Sequence, residues 1–488
     1  MDNKFEYDTE ENLLIHASTA INVPFKDIDK TGRLENNKGG VGTMIEESHF
    51  GYSPNSKSEA DFNKLSIELK VTPFITKFNK KDNSLEYKAK ERLVLNIINY
   101  KKENLESIYD STFWRKNKKI LMMFYEYNKQ LSKEEWFIDD LILFSWPKKD
   151  FPIIMNDWIT IANKIKCGKA HELSESDTMY LSACTKGSTA EKSMREQPFS
   201  NIKAKQRAYS LKPSYMTSIL NDYVYGSLED VAISKSNNYR LKVTNESEQL
   251  VTITDLDKPF SIFEYIKDKI TPYVGKTQCA LVTELDVKQS KATNASIVNN
   301  IFKLNGDIRK TDEFIKANIV PKTIRIEANG SIKEDMSFAA FKFNDIANQE
   351  WEDSDFYSTL TTTTFMFIIF QKTDDLDSNA IFKGIKFWSM PDDDIDIAKN
   401  YWDKFKSILQ QGVELIEING TVKNNLPKKR ENPIIHVRPH SSKSAYRTPN
   451  FNKGDLKDAD ALPDGRYMTK HCFWLNKQYI KHITSDNT

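Results

Sequence analysis

Hydrophobic and polar positions along this chain follow two different periods, which predict strands and helices in turn. Short apolar runs bounded by polar residues predict buried strands, and apolar residues every three or four positions predict amphipathic helices. The clearest strands are 120–125, 137–144, 365–370 and 381–388, and the clearest helices are 157–166 and 400–410, each followed closely by a glycine. The pattern predicts an α/β protein in which a mixed sheet is flanked by helices.

The second half of the chain repeats the pattern of the first. A proline, a tryptophan and a glycine recur with equal spacings and an offset of 244 residues: Pro147, Trp158 and Gly168, then Pro391, Trp402 and Gly412. Downstream, each half carries a basic loop and then an Arg-aromatic segment, which begins at Arg207 in the first half and at Arg466 in the second. We therefore predict two homologous α/β domains, 1–225 and 266–488, joined by a polar linker at 226–265.

Composition narrows the class of protein. The 488 residues exceed what one hydrophobic core usually supports, and a hydrophobic fraction of 39% can build two. The four cysteines stand far apart with no C-x-x-C pair, which argues against a disulfide framework and a cysteine zinc site. The start of the chain is acidic, and no apolar run approaches membrane-spanning length. We expect a cytoplasmic protein without a membrane partner.

The net charge of +1 gives no hint of nucleic acid, but the charge is unevenly spread. Between Lys186 and Lys212 there are seven basic residues against two acidic ones, and between Lys423 and Arg447 seven against one. Two basic segments in a neutral chain are typical of a surface that follows a phosphate backbone. Solvated surface loops remain the alternative for each segment.

One short segment carries a candidate catalytic set. Alternation of apolar and polar residues at 65–72 predicts a half-buried strand. Period two places Glu68 and Lys70 on one polar face, and Asp61, seven positions before Glu68, can reach them from a preceding turn.

Phosphodiester hydrolysis needs this combination of groups. The carboxylates of Asp61 and Glu68, with the backbone carbonyl of Leu69, are suitable oxygen ligands for Mg²⁺. Lys70 can position the attacking water or stabilise developing negative charge. A glycine-punctuated segment upstream ends in a helix-like stretch that can deliver Glu46 as a further carboxylate.

A surface strand with an ion pair across its face is the commoner explanation of such a pattern. The second half offers an internal control. Aligning 323–327 on 66–70 puts Arg325 in the place of Glu68 and Glu327 in the place of Lys70. The second copy is therefore expected to keep the strand and lose the chemistry.

The segment Lys38-Gly-x-Val-Gly-x-x-Ile-Glu46, followed by Asp61-x6-Glu68-x-Lys70, resembles the active-site signature of the MutH family. Longer runs resemble the related type II restriction endonucleases of the Sau type, which cut GATC. These runs are 90–99, 168–174, 336–343, 436–440 and 468–474. The likeness covers nearly the whole chain. Ala60 stands where the strict motif has proline, a position that varies in this superfamily.

This resemblance implies a PD-(D/E)xK nuclease fold, Mg²⁺ dependence, and a catalytic N-terminal copy. It also implies a catalytically silent C-terminal copy that binds DNA as an effector domain. DNA contacts are expected from a loop resembling Arg-Pro-Lys, from a later Arg-aromatic-Lys segment and from the glycine-punctuated segment. The residues concerned are Lys38, Lys186, Arg207, Lys212, Arg438, His440, Arg466 and Lys470.

Other chemistries are disfavoured. The seven histidines form no H-x-x-x-H pattern, and Ile270 stands where a phosphate loop ending in Lys276-Thr277 would need its first glycine, so ATP use is not expected. Lys88 or Lys90 could supply a further lysine near the active site, and spacing does not distinguish them.

The hypothesis is a Mg²⁺-dependent type II restriction endonuclease that hydrolyses double-stranded DNA at a GATC-like site. One active site per chain cuts one strand, so double-strand cleavage is expected to need a second copy of the chain on DNA, or sequential nicking. Two alternatives stay open: a mismatch-repair nicking endonuclease and a non-catalytic DNA-binding regulator.

Overall fold

The structure is a computed structural model that describes residues 7–34, 40–52, 59–79, 84–103, 105–186, 193–226, 234–235, 247–290, 292–374, 376 and 379–485. Its strands are β1 Glu68–Asn79, β2 Ser84–Ala89, β3 Leu93–Ile97, β4 Lys119–Glu126, β5 Ile138–Ser145, β6 Leu181–Thr185, β7 Met194–Gln197, β8 Ser200–Lys205, β9 Arg207–Leu211, β10 Ser234–Lys235, β11 Ile319–Ile326, β12 Met336–Ala340, β13 Thr364–Gln371, β14 Ile381–Trp388, β15 Leu415–Ile418, β16 Thr421–Asn424, β17 Ile435–Pro439, β18 Tyr446–Arg447, β19 Asn452–Lys453, β20 Ala459–Ala461, β21 Tyr467–Thr469 and β22 His471–Leu475.

Its α-helices are α1 Glu10–Ser18, α2 Phe25–Ile28, α3 Gly40–Met44, α4 Thr112–Asn117, α5 Phe151–Lys166, α6 Pro213–Ile219, α7 Ile262–Ile270, α8 Gln278–Glu284, α9 Thr293–Ile301, α10 Asp312–Ala317, α11 Phe343–Asn348, α12 Asp355–Thr362, α13 Asp392–Gln411 and α14 Lys477–Ser485. Two π-helical turns, Ile45–His49 and Leu220–Val224, continue α3 and α6. No helix within the described ranges is both long and apolar enough to cross a lipid bilayer.

The chain divides into two compact units. Unit 1 comprises Met1–Ile266 and Leu304–Ile319, and unit 2 comprises Lys267–Lys303 and Val320–Thr488. The chain therefore passes into unit 2 after residue 266, returns to unit 1 for residues 304–319, and continues in unit 2 from residue 320. The sequence suggested a single boundary at residue 266.

Unit 1 is built on a five-stranded sheet of order β10-β5-β4-β1-β2. Strands β1 and β4 are parallel neighbours, and the other pairs are antiparallel. One face of the sheet packs against α1 and α3 through a buried apolar cluster that includes Leu13, Met44, Leu121 and Leu141. A separate antiparallel sheet has the order β3-β9-β6.

Unit 2 repeats these two sheets. Its strands β11-β13-β14 match β1-β4-β5, and β12-β22-β17 match β3-β9-β6. The predicted mixed α/β fold, written twice, is thus confirmed. All four predicted strands are present, as β4, β5, β13 and β14.

The two predicted helices are present and longer than expected. They begin at Phe151 and Asp392, and each ends beside a glycine with positive φ, Gly168 at +70° and Gly412 at +109°. The sequence prediction missed the first turns because a proline in α5 and three aspartates in α13 interrupt the helical spacing of apolar residues. A proline early in α5 and three aspartates at the start of α13 favour helix beginnings for other reasons.

Parts of the segment predicted as a linker contact unit 1. Its strand β10 pairs with β5, and the Phe260 N–H donates to the Pro152 carbonyl at 2.9 Å. The Leu250 N–H donates to Glu313 at 2.8 Å, which joins this segment to α10. Backbone hydrogen bonds do not depend on the spacing of apolar residues, so hydrophobic periodicity does not reveal them, and composition alone indicated a connector.

Candidate active site

A tight turn before β1 brings Asp61 back to the strand. Phe62 and Ile67 exchange two backbone hydrogen bonds, of 2.9 and 3.3 Å, and Ser66 between them adopts φ +55°. The Asp61 carboxylate then accepts a hydrogen bond from the Leu69 N–H at 3.0 Å. The strand therefore begins at Glu68 and not at Leu65 as predicted, because the left-handed residue interrupts the extended backbone.

Glu68 and Lys70 lie side by side, as the two-residue period of the strand predicted. The ammonium of Lys70 donates to Glu68 Oε1 at 2.8 Å. Glu68 is only 2% exposed, and burial is the main cause that raises the pKa of its carboxyl, with Lys70 acting against it and Asp61 adding to it.

A second lysine, which the sequence analysis missed, completes this arrangement. Lys116, in the last turn of α4, places its ammonium 3.4 Å from Glu68 Oε1. Its position follows from the parallel register in which Glu68 lies opposite Ile120 at the start of β4. The available signal was the basic run at 115–119 directly before a predicted strand, which carried no spacing rule that points to Glu68.

Glu46 faces the same group of charges. It lies in the π-helical turn that continues α3, where the predicted helix-like stretch is observed. Burial, with the neighbouring charge of Asp61, raises the pKa of Glu46 to about 7, and Lys70 opposes this rise. Two carboxyls with raised pKa values and two lysines beside them form a cluster of perturbed ionisable groups, which is typical of a functional site.

One atom in this site has an unmet bonding requirement. Glu68 Oε2 is buried and has no hydrogen-bond partner within the described residues. A buried carboxylate oxygen without a partner carries a large desolvation cost. A Mg²⁺ ion would satisfy it, so the donor set of Asp61, Glu68 and the Leu69 carbonyl fits the metal. The described part of the chain contains no group of three or more His, Cys, Asp or Glu side chains arranged to hold a metal, so a backbone oxygen and water would complete the coordination.

The two lysines that the sequence left open lie farther along the sheet. Lys88 is paired with Ile75, seven residues beyond Glu68 and thus about 23 Å along β1. The Lys90 ammonium lies 4.3 Å from the centre of the Tyr127 ring. The additional lysine beside Glu68 is therefore Lys116.

The DNA-contact residues predicted for unit 1 have different surroundings. Lys186 is partly exposed, and its N–H donates to the Gln206 carbonyl at 2.7 Å. Arg207 is 6% exposed and donates to the Ala183 carbonyl at 2.7 Å. Lys212 is fully buried and donates to the Glu175 and Thr178 carbonyls at 3.2 and 3.0 Å. Arg207 is thus tied to the backbone of β6 and Lys212 to the backbone of residues 175 and 178, and Lys38 lies outside the described residues.

In unit 2 Arg438 and His440 lie at the end of β17, and the Lys470 carbonyl is joined to His440 by a backbone hydrogen bond. Arg438 and His440 are exposed, and both contact the Trp474 ring, with centroid distances of 3.7 Å and 5.5 Å. Lys470 is partly exposed and donates to the Lys457 carbonyl. Arg466 forms an ion pair with Asp464 at 2.6 Å.

Backbone hydrogen bonds align the two halves and correct one predicted correspondence. The His440 N–H donates to the Lys470 carbonyl at 2.8 Å, as the Lys186 N–H donates to Gln206. Arg207 lies opposite the residue before Lys186, and His471 lies opposite the residue before His440. The counterpart of Arg207 is therefore His471 and not Arg466, because Arg466 precedes a strand of another sheet, β19-β18-β21-β20.

The predicted alignment of the catalytic strand also shifts. Ser66 and Asn318 are the left-handed residues before β1 and β11, with φ of +55° and +53°. The carbonyls of Phe74 and Ile326 accept the equivalent hydrogen bonds at the other ends of these strands, from Tyr127 and Lys372.

Both pairs give one register. Val320 lies at the position of Glu68 and Lys322 at the position of Lys70. The predicted match of Arg325 to Glu68 is thus off by five residues. The second copy nevertheless lacks the buried carboxylate, as expected, because Val320 stands in its place.

Three comparisons with known proteins agree with this architecture. A family model for the DNA mismatch repair enzyme MutH matches residues 50–157 and 302–400, one block in each half. The type II restriction enzyme Sau3AI of Staphylococcus aureus is 37% identical over 509 aligned residues, which cover 98% of this chain and 99% of that protein. The DNA mismatch repair protein MutH of Vibrio parahaemolyticus is 25% identical over 228 residues, 44% of this chain and 95% of that protein.

Proposed function

This chain belongs to the MutH-like type II restriction endonucleases, and on that premise we propose that it hydrolyses double-stranded DNA at a GATC-like site with Mg²⁺ as cofactor. The observation that carries the proposal is Glu68 Oε2, which has no hydrogen-bond partner among the residues that the structure describes and lies in a site where Asp61 and Glu46 supply further negative charge. GATC specificity is proposed by analogy with the Sau-type enzymes that the sequence resembles.

Asp61, Glu68 and the Leu69 carbonyl would hold the metal. The hydrogen bond from Leu69 N–H occupies Asp61 Oδ2 and orients the carboxylate, which leaves Oδ1 for the cation. When bound, Mg²⁺ supplies a Lewis acid that polarises the phosphoryl oxygen and acidifies water.

The side chains around this position would orient the phosphate and move the proton. Lys70 and Lys116 each bring an ammonium to Glu68 Oε1, and either can turn a donor toward the scissile phosphate as negative charge grows there. Glu46, with a pKa of about 7, is suited to accept a proton from the attacking water near neutral pH.

Unit 2 is proposed to bind a second DNA site as an effector without cutting it. Val320 replaces the buried carboxylate, so this copy lacks the central metal ligand. Its exposed Arg438 and His440 remain available to DNA, together with Lys470. Because each chain has one catalytic site, cleavage of both strands needs two chains on DNA or two successive nicks, and ATP has no part in it.

The test is cleavage of unmethylated plasmid by the purified chain with Mg²⁺, followed by sequencing of the ends. Asp61→Ala is expected to abolish cleavage while DNA affinity in EDTA stays within about threefold. A DNA-binding regulator without catalysis would leave plasmid intact in both cases. A nicking enzyme would accumulate open circles without linear product. Ends that do not fall at GATC would refute the proposed specificity alone.

A further inference from the structure

Unit 2 holds one solvent-facing arginine between a buried carboxylate and an indole ring. The Arg438 guanidinium lies 3.7 Å from the centre of the Trp474 ring, and its Nη1 donates to Asp335 Oδ2 at 3.2 Å. The side chain nevertheless stays 44% exposed. The two contacts use one face and one edge of the guanidinium, so the rest of its five N–H donors can face a ligand.

Asp335 is built to stay charged in this position. Its side chain is 6% exposed, and burial by itself opposes ionisation. Hydrogen bonds from the Lys429 ammonium and the Lys477 N–H outweigh this cost and lower the pKa of Asp335 below its usual value. The Lys477 N–H is the first of α14, so the carboxylate is also fixed to a helix terminus.

Sheet register sets the position of Trp474. In the β17–β22 pair Arg438 lies opposite Cys472, and His436 lies opposite Trp474. Arg438 and Trp474 are therefore diagonal neighbours on one face of the sheet, within reach of long side chains. The backbone hydrogen bonds of both strands thus fix the ring under the guanidinium.

The equivalent place in unit 1 is built differently. The strand pairs align Leu93 with Met336 and Leu211 with Leu475. The counterparts of Arg438, Trp474 and Asp335 are therefore Cys184, Ser210 and Arg92. Arg92 donates at 2.7 Å to Glu175. Cys184 is only 5% exposed, so unit 1 presents no arginine at this position.

We propose that Asp335 and Trp474 are positioning residues that hold Arg438 for forked hydrogen bonding to a guanine in the DNA bound by unit 2. This inference rests on the proposed DNA-binding function and adds a reading contact that unit 1 lacks. Arginine pairs with guanine O6 and N7 through two donors, and a guanidinium whose orientation is already fixed loses less side-chain entropy on binding. Neither positioning residue needs to touch DNA.

The experiment measures binding of the full chain to fluorescent duplexes in EDTA. One duplex carries a single GATC, and its partner carries 7-deazaguanine at the guanines of that site, which removes only N7. Wild type is expected to bind the guanine duplex about tenfold more tightly, the discrimination typical of one forked contact. Arg438→Lys, Asp335→Asn and Trp474→Leu should each lower this ratio, because the guanine contact of unit 2 is lost or weakened while unit 1 is unchanged. Combining Asp335→Asn with Arg438→Lys should change it no further.

The control is Asp460→Asn. Asp460 is also a largely buried aspartate of unit 2 that accepts from a lysine, Lys342 at 2.9 Å, and from the N–H of the first residue of a helix, Phe343 at 3.0 Å. Its hydrogen bonds and ion pair within the described residues involve no arginine, so the Asp460→Asn ratio should equal that of wild type. Melting temperatures report whether any variant loses its fold.

The outcomes separate the inference from the proposed function. If Arg438→Lys lowers the ratio and folded Asp335→Asn keeps it, the positioning role is wrong while guanine reading stands. If Arg438→Lys keeps the ratio and only reduces the salt dependence of binding, Arg438 contacts phosphate and the inference is overturned. If wild type binds and cuts no duplex, the proposed function itself fails.

Discussion

The ammonium of Lys116 lies 3.4 Å from Glu68 Oε1, although α4 and β1 are separated along the chain by β2 and β3. Their proximity depends on the parallel pairing of β1 with β4, which sets Glu68 opposite Ile120. The same oxygen accepts from Lys70, so two ammonium groups converge on one side of the carboxylate, while Oε2 has no hydrogen-bond partner in the described part of the chain.

Lys116→Ala is expected to reduce the cleavage rate about 100-fold or more, the usual effect of removing one donor that stabilises transition-state charge. DNA affinity in EDTA should change little, because the variant keeps the surface charge of the basic segments. Single-turnover cleavage with saturating Mg²⁺ measures the effect. Lys119→Ala is the matched control, since Lys119 pairs with Glu10. Equal rates for Lys116→Ala and Lys119→Ala would contradict a catalytic role for Lys116.

The Mg²⁺ requirement is expected to depend on pH. Glu46 has a pKa of about 7, so it is mostly protonated at pH 6 and mostly charged at pH 8. Protons and the cation compete for this cluster, and the Mg²⁺ concentration for half-maximal cleavage should be about tenfold higher at pH 6 than at pH 8. Titrations of Mg²⁺ at both pH values measure this. If the Mg²⁺ concentration for half-maximal cleavage is the same at pH 6 and pH 8, ionisation of Glu46 does not affect metal binding.

Glu46→Gln is expected to stabilise the fold at pH 8. The folded pKa of Glu46 lies above its ordinary value, so the charged form is disfavoured in the native state, and this cost appears as pH rises from about 4.5 to about 7. The gain at pH 8 should be about 1 to 2 kcal/mol after allowance for solvent screening, and it should vanish near pH 4.5. Metal-free thermal melts at both pH values test the sign. A lower melting temperature for Glu46→Gln at pH 8 would refute it.

Lys316→Ala is expected to destabilise unit 1 strongly. The buried Lys316 ammonium donates to Asp150 and Asp312, each at 2.8 Å, and this pairing fastens the returning segment 304–319. Removing one partner of a buried ion pair typically costs about 3 to 5 kcal/mol. Lys399→Ala breaks an exposed pair with Asp403 and should cost less than about 0.5 kcal/mol. Urea unfolding compares the two, and similar losses would contradict the proposed fastening.

The effector role of unit 2 predicts that a plasmid with two GATC sites is cut faster than one with a single site. Gel filtration with DNA should show two chains per complex under the same conditions. Arg438→Lys should reduce the rate on the two-site plasmid toward the one-site rate, since unit 2 would lose its guanine contact. Equal wild-type rates on both plasmids would count against the effector role.

The sequence by itself determined the elements and their duplication. Strand and helix periods are local properties, so β4, β5, β13, β14 and the bodies of α5 and α13 could be predicted. The contact between Glu68 and Lys70 was also predictable, because residues two apart on a strand lie on the same face.

Tertiary structure decided which distant residues join them. Lys116 reaches Glu68 through a parallel register that no spacing rule contains. Lys212, which the sequence placed among the DNA contacts, is buried and donates to the carbonyls of Glu175 and Thr178. The match of Val320 to Glu68 depends on one left-handed residue before each strand. These features arise from backbone hydrogen bonds between segments far apart in sequence, and such bonds can form between many pairs of segments until packing of the apolar faces selects one register.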